Sequence, residues 1–310
     1  MNSLSDLLRP RRYFALRAKR KRKARAFGMT SWHEQDWLRT YAARTYHGRG
    51  AIVDLGCFLG ATTIALAEGL TLNPRPPSGA VIHAYDLFSW GKGFELWAKG
   101  KEVEGQIPLG GSFRPEFLKR IARWRDYIVV HEEDLARAQW QNGPIEFLLI
   151  DAMKTAETAS AITHAFFPDV IPATGYVAHQ DFAHAYTPWI HLIAYRLRDY
   201  FSLTADVPSS GTTVFRCERQ LPLAAVDMDV LFSTCSTSEL EAAFDYSLGL
   251  VRDEKKGNII AAKAMAYRER GQIVRAREIL AATGDSTPSL AGELEQIKRL
   301  IAAEAKERHS

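Results

Sequence analysis

Five aspartates stand at or just beyond the carboxyl ends of short apolar runs. They are Asp54 in Ala51–Leu55, Asp86 after Ala80–Tyr85, Asp134 after Tyr127–His131, Asp151 after Ile145–Ile150 and Asp181 after Gly175–His179. A carboxylate so placed can accept hydrogen bonds from ligand hydroxyls, hold a cation or take up a proton. The first run continues as Asp54-x-Gly56-x-x-x-Gly60, where glycines let the backbone come close to a ligand. A pyrophosphate cradle would need Gly-x-Gly-x-x-Gly, and Cys57-Phe58 stands where its second glycine belongs. A nucleoside ligand without phosphates fits this loop better. Asp86 is placed to hold ribose hydroxyls and Asp134 to meet an adenine edge, because α/β sheets bind ligands at their carboxyl ends.

A second group lies further along the chain. Asp151 is followed three residues later by Lys154, and Asp181 is flanked by His179 and His184. Paired carboxylates with a lysine or histidine beside a cofactor crevice suit proton removal from an acceptor hydroxyl, with or without a cation to lower its pKa. His131 reads as a strand residue, and His164 and His191 as helix residues that pack or face solvent.

These groups need a scaffold that brings strand ends together. The apolar runs above, with a last strand at Thr212–Cys217, alternate with helical segments near 61–70, 115–124, 156–167 and 188–200. Such alternation predicts a mostly parallel sheet with helices on both faces. Thr30 or Ser31 caps a preceding helix that ends near Gly48. Residues 88–115, rich in glycine and aromatics including Trp90, Phe94, Trp97 and Phe113, read as a lid-like insertion, either lining a substrate pocket or holding its own small core. Beyond about 220 only helical patterns remain. Ser238 with Glu241 reads as a capping box, and Thr287-Pro288 as a helix start. Ala266-Tyr267, Gly271, Ala276 and Leu280 follow the spacing of a tetratricopeptide repeat, but no second copy follows. A helical hairpin packed on the catalytic domain, or on another subunit in a homo-oligomer, is the expectation. The domains are then an arm over 1–29, a catalytic domain over 30–220 and a helical module over 221–310.

Over about residues 30–217 the sequence resembles class I S-adenosylmethionine-dependent methyltransferases. The resemblance implies a Rossmann-like, seven-stranded, mostly parallel α/β sheet. It implies that Asp54, Gly56 and Gly60, with Cys57 and Phe58 of the same loop, surround the methionine part of the cofactor. Asp86, with Leu87 beside it, takes the ribose, and Asp134 the adenine. Phe147-Leu148-Leu149-Ile150-Asp151-Ala152-Met153-Lys154 looks like the catechol O-methyltransferase group, in which the Asp binds Mg²⁺ and the Lys acts near the reacting hydroxyl. Gly175–Phe182 resembles that family's fifth strand, with Asp181 in place of the second metal ligand and Phe182 where an Asn is expected. Macrolide-sugar O-methyltransferases are a looser match. The implied function is O-methylation of a small molecule or glycan, with Asp151, Lys154, Asp181, His179 and His184 on the acceptor side. Asp151 and Asp181 are the expected ligands of a Mg²⁺ or other divalent ion. A nucleic-acid methyltransferase and a scaffold that keeps the fold are the alternatives, although no Asn-Pro-Pro-aromatic signature stands at the fourth strand.

Composition sets the wider bounds. Apolar residues at 46% and charged ones at 25% are ordinary for a soluble domain. No apolar run approaches the roughly 20 residues of a membrane span, and no secretory core follows the basic N-terminus. Cys57, Cys217 and Cys235 are too widely spaced for a zinc motif, so a reducing, cytoplasmic setting is expected. Ten basic residues and no acidic one lie between Arg9 and Arg25, interleaved with Tyr13, Phe14 and Leu16. Such an arm predicts an anionic contact or simply a solvated segment. Phospholipid headgroups of the inner membrane face, RNA and an acidic protein are the candidate contacts, and the apolar residues favour the membrane.

Overall fold

The computed structural model describes residues 25–284 and 286–307, so the basic arm up to residue 24 lies outside the described residues. Helix α1 (Trp32–Arg44) starts at Ser31, whose hydroxyl accepts the Glu34 N–H. Strand β1 (Ala51–Leu55) runs into helix α2 (Ala61–Leu70), which is apolar nearly all round because it is buried between α1 and the sheet. Next come β2 (Ile82–Asp86), the short helix α3 (Lys92–Ala98), α4 (Arg114–Ile121) and β3 (Ile128–Glu132). No helix joins β3 to β4 (Ile145–Ile150); residues 133–144 form turns closed by buried Trp140, whose indole N–H donates to the Gly143 carbonyl. The pattern resumes with α5 (Ala156–Phe166), β5 (Tyr176–His179), α6 (Trp189–Arg196), β6 (Phe201–Asp206) and β7 (Thr213–Cys217).

The strands form one sheet in the order β3-β2-β1-β4-β5-β7-β6, with β7 antiparallel to both its neighbours. This is the strand order of the Rossmann-like methyltransferase sheet. Strand β6 is absent from the strands read in the sequence. Its Phe201-Ser-Leu-Thr-Ala-Asp alternation is that of an edge strand, and the preceding helix stops at Arg196, short of Tyr200.

The two faces of the sheet carry separate apolar cores. One joins α1, α2 and the insertion through Trp37, Leu38, Leu66, Phe88, Trp90, Phe113 and Phe147. The other joins α5 and α6 to the helices that follow β7: α7 (Leu223–Val226), α8 (Thr237–Leu250), α9 (Asp253–Glu269), α10 (Ile273–Ala281) and α11 (Glu293–Glu307). Helix α8 packs on α6, with the rings of His191 and Phe244 4.8 Å apart, so these helices extend the sheet's own core. Two of their starts differ from expectation. Ser236, not Ser238, caps α8 by accepting the Glu239 N–H, and α11 begins at Glu293 after a short 3₁₀ turn, not at Thr287. Within the insertion, Trp90 and Phe113 are buried against Phe58 and Phe88, which makes them core residues.

Candidate active site

The strand order reverses between β2-β1 and β4-β5, and the carboxyl ends there diverge into a crevice. Its floor depends on Gly56. That residue has φ +85°, and a Cβ on it would lie 2.6 Å from the Asp151 carbonyl, so only glycine lets the β1 turn lie against the end of β4. Gly56 and Cys57 donate their N–H groups to the Tyr85 carbonyl, while Asp151 donates its own to the Leu55 carbonyl. These bonds hold the ends of β1, β2 and β4 in one plane.

A cleft of about 370 Å³ opens there. It is lined by Gly56, Cys57, Phe58, Asp86, Leu87, Asp134, Asp151 and Lys154 among the expected site residues, by Phe94 of the insertion, and by Met29, Glu133 and Thr158 among the unexpected ones. Asp86 accepts the Phe58 N–H on one oxygen (2.8 Å) and the Phe88 N–H on the other (3.0 Å), which fixes its carboxylate at the cleft wall. Burial pushes its pKa up, against those amide bonds. Asp134 is also a turn residue, its Oδ1 accepting the Ala136 N–H at 3.0 Å.

Two expected cofactor contacts stand elsewhere. Asp54 is fully buried behind the loop, where its Oδ2 accepts the hydroxyls of Thr62 (2.8 Å) and Thr63 (2.6 Å). Desolvation pushes its pKa to about 6. Gly60 caps α2 at φ +87° and packs on Phe117 and Ile121, away from the cleft. Both residues shape the loop and neither lines the cavity.

The acceptor-side group divides as well. The Lys154 ammonium donates to Asp151 Oδ1 at 2.7 Å and also to Asp181, so one cation bridges the carboxylates of two strand ends. Burial raises the Asp151 pKa and Asp181 adds to this, while Lys154 opposes it. Burial works to lower the Lys154 pKa, but the two carboxylates outweigh it and hold the lysine charged. His179 points into the apolar face among Phe167, Phe182 and Phe215, and burial lowers its pKa to about 4. It is a core residue outside the cleft lining. His184 lies 3.6 Å from Glu293 of α11, outside the cleft lining. Glu293 also accepts the Ala185 N–H at 2.6 Å, so the last helix holds the loop that carries Asp181.

A divalent cation does not fit this arrangement. Mg²⁺ wants about six oxygen ligands. Here two carboxylates share a lysine, Phe182 is buried, and no group of three His, Cys, Asp or Glu side chains among the described residues can hold a metal.

Glu34 has no counterpart in the sequence reading. It is buried on α1, accepting the hydroxyls of Thr212 (2.6 Å) and Ser210 (3.3 Å), and desolvation lifts its pKa to about 7 against those bonds. Its charge reaches Asp151. In the sequence it stands where a capping-box glutamate would, and nothing local marks it as buried.

No protein-family model matches the chain, and no curated protein matches it in sequence. Among solved structures it is similar to one described as StiE O-MT residues 961–1257, with 12% identity over 98% of this chain and 86% of that one, at a TM-score of 0.34. The strand order, not this likeness, identifies the fold.

Proposed function

We propose that the chain is an S-adenosylmethionine-dependent O-methyltransferase acting on a hydroxyl of a small molecule or glycan. The observation that carries this reading is the charge of the cleft. Asp86, Glu133, Asp134 and Asp151 line it against the single cation Lys154, at the switch point of a methyltransferase-type sheet. Such a lining repels phosphates and suits a cationic sulfonium nucleoside. A volume of about 370 Å³ falls within the ordinary range for small-molecule sites.

In this reading Asp86 holds the ribose hydroxyls and Asp134 the adenine edge, while Phe58, Leu87 and Phe94 cover the apolar surface. The chemistry the cofactor supplies is an electrophilic methyl group on sulfur. Lys154, kept protonated by its two carboxylates, does not serve as the base; it orients the acceptor and stabilises the developing oxyanion. Asp151, its pKa raised by burial, takes the hydroxyl proton as the oxygen gains its methyl group. No step passes through a metal ion.

Calorimetry with S-adenosylmethionine tests the reading. Saturable binding that is weakened by Asp86→Ala supports it. No heat at millimolar cofactor overturns it and leaves a fold used as a scaffold.

A further inference from the structure

We infer that the turn between β6 and β7 sets Asp181 against Lys154, with the buried Glu34 and Lys255 as positioning residues that act through it. Residues 207–212 close on themselves, the Val207 N–H donating to the Thr212 carbonyl at 3.1 Å. Two elements far apart in the chain then grip this turn. From α1, Glu34 accepts the hydroxyls of Thr212 (2.6 Å) and Ser210 (3.3 Å). From the first turn of α9, Lys255 donates to the Thr212 carbonyl at 2.8 Å and also to Asp206, while Glu254 accepts the Ser209 N–H at 2.8 Å. Glu34 and Lys255 are both buried, so neither serves as a surface charge.

The turn in its place presses on the loop that carries Asp181. The Gly211 carbonyl accepts the Ala183 N–H at 3.0 Å. A Cβ on Gly211 would lie 2.7 Å from the Gln180 carbonyl oxygen, although its φ is outside the left-handed region. Glycine is needed there for closeness and not for conformation. Gln180 donates its own N–H to the Ile150 carbonyl at 2.9 Å, which ties the same loop to the end of β4. Asp181 therefore stands between two residues that the turn holds, and its carboxylate meets Lys154, itself 2.7 Å from Asp151.

Buried charges are a poor way to stabilise a turn, because apolar side chains of like volume often do as well or better. What directional bonds to buried charges add is a single geometry. The acceptor side of the cleft needs one, since a shift of about 1 Å in a reacting group costs on the order of 10²-fold in rate. Through Lys255, the helices beyond β7 share in fixing it. For its effect on turnover this inference rests on the proposed methyl transfer; for the state of Lys154 it rests on the geometry alone.

Acetylation of the full chain by limiting acetic anhydride at mildly alkaline pH, read by mass spectrometry, reports how firmly Lys154 is held. Lys119, with a side chain 78% exposed, is the internal reference. Thr212→Val keeps the shape and removes the hydroxyl that Glu34 holds, while Gly211→Ala leaves every charge in place and pushes on Gln180. Each is expected to raise Lys154 acetylation relative to Lys119 by about tenfold or more, because one of the two carboxylates that hold the ammonium recedes. Hydrogen exchange at Ala183 should quicken in both. Thr212→Ser, which restores the hydroxyl, is expected to match the unaltered chain in both readouts. If Thr212→Val does not fold, Gly211→Ala decides alone. Unchanged Lys154 reactivity in a folded variant, an equal rise at every lysine, or a Thr212→Ser chain that behaves like Thr212→Val overturns the proposal. Calorimetry with S-adenosylmethionine on the same proteins keeps the two readings apart, because an unaltered chain that binds no cofactor sinks methyl transfer and leaves the lysine result intact.

Discussion

The ammonium of Lys154 lies 2.7 Å from Oδ1 of Asp151 and also reaches Asp181, two strands' ends joined by one side chain. The lysine thus fills the space between the two carboxylates that the sequence resemblance assigned to a divalent ion. Methyl transfer is therefore expected to be indifferent to a chelator. Lys154→Ala should lower turnover by about 10²-fold or more, since it removes the charge that faces the developing oxyanion. The same variant leaves two unpaired carboxylates, and it alone should bind Mn²⁺, as read by electron paramagnetic resonance. Manganese binding by the unaltered chain would refute the assignment.

Asp151→Asn tests the proton acceptor. It keeps the shape and loses the base, so turnover is expected to fall by about 10²–10⁴-fold. Cofactor affinity should change little, because in the proposed arrangement Asp86 and Asp134, not Asp151, hold the cofactor's nucleoside end. A parallel loss of both would make Asp151 a binding residue.

Glu34 predicts a pH-dependent stability. Its folded pKa, about 7, lies above the usual carboxylate value, so the folded state binds the proton more tightly than the unfolded one. Its favourable contribution is present in full below pH ~4.5 and is lost as pH rises through 7. Glu34→Gln removes the buried charge and should stabilise the protein at pH 8 by an amount on the order of 1–3 kcal/mol. The gap should close near pH 4. Denaturant titrations at the two pH values measure it.

Glu293 predicts a link between the last helix and the site. It accepts the Ala185 N–H and faces His184, on the loop that begins at Asp181. Glu293→Ala should speed hydrogen exchange at Ala185 and lower turnover, with cofactor affinity unchanged. The loss of one charged hydrogen bond is worth about 1.5–3 kcal/mol. Unchanged exchange at Ala185 would show that the loop orders itself.

Gly56→Ala is expected to abolish cofactor binding. At φ +85° a side chain costs about 1–3 kcal/mol, and the new Cβ would press on the Asp151 carbonyl. The β1 turn must then move out of the cleft. Calorimetry reads the lost affinity, and an unaltered affinity would place the cofactor elsewhere.

Much of the fold was legible because its signals are local. The buried runs from Ala51, Ala80, Ile145 and Gly175 are too apolar for anything but central strands, and the helices between them force a parallel sheet. The edge strand Phe201–Asp206 was hidden by its half-polar alternation, and the capping residue of α8 by two serines close together. The site was legible as a set of strand ends, since topology alone brings Asp86, Asp134 and Asp151 to one crevice.

By itself, then, the amino-acid sequence determined the sheet, the Gly56 turn and which strand ends bear carboxylates, because these follow from periodicity and backbone sterics. Only the tertiary structure decided which way each side chain points and what lies across from it. Asp54 turned inward to two threonines, and His179 fell on the apolar face among phenylalanines. Lys154 came to rest between Asp151 and Asp181, the latter 27 residues further along the chain than the lysine, and Glu34 was sealed beneath Thr212. Those outcomes depend on packing between segments distant in sequence, and no local pattern records them.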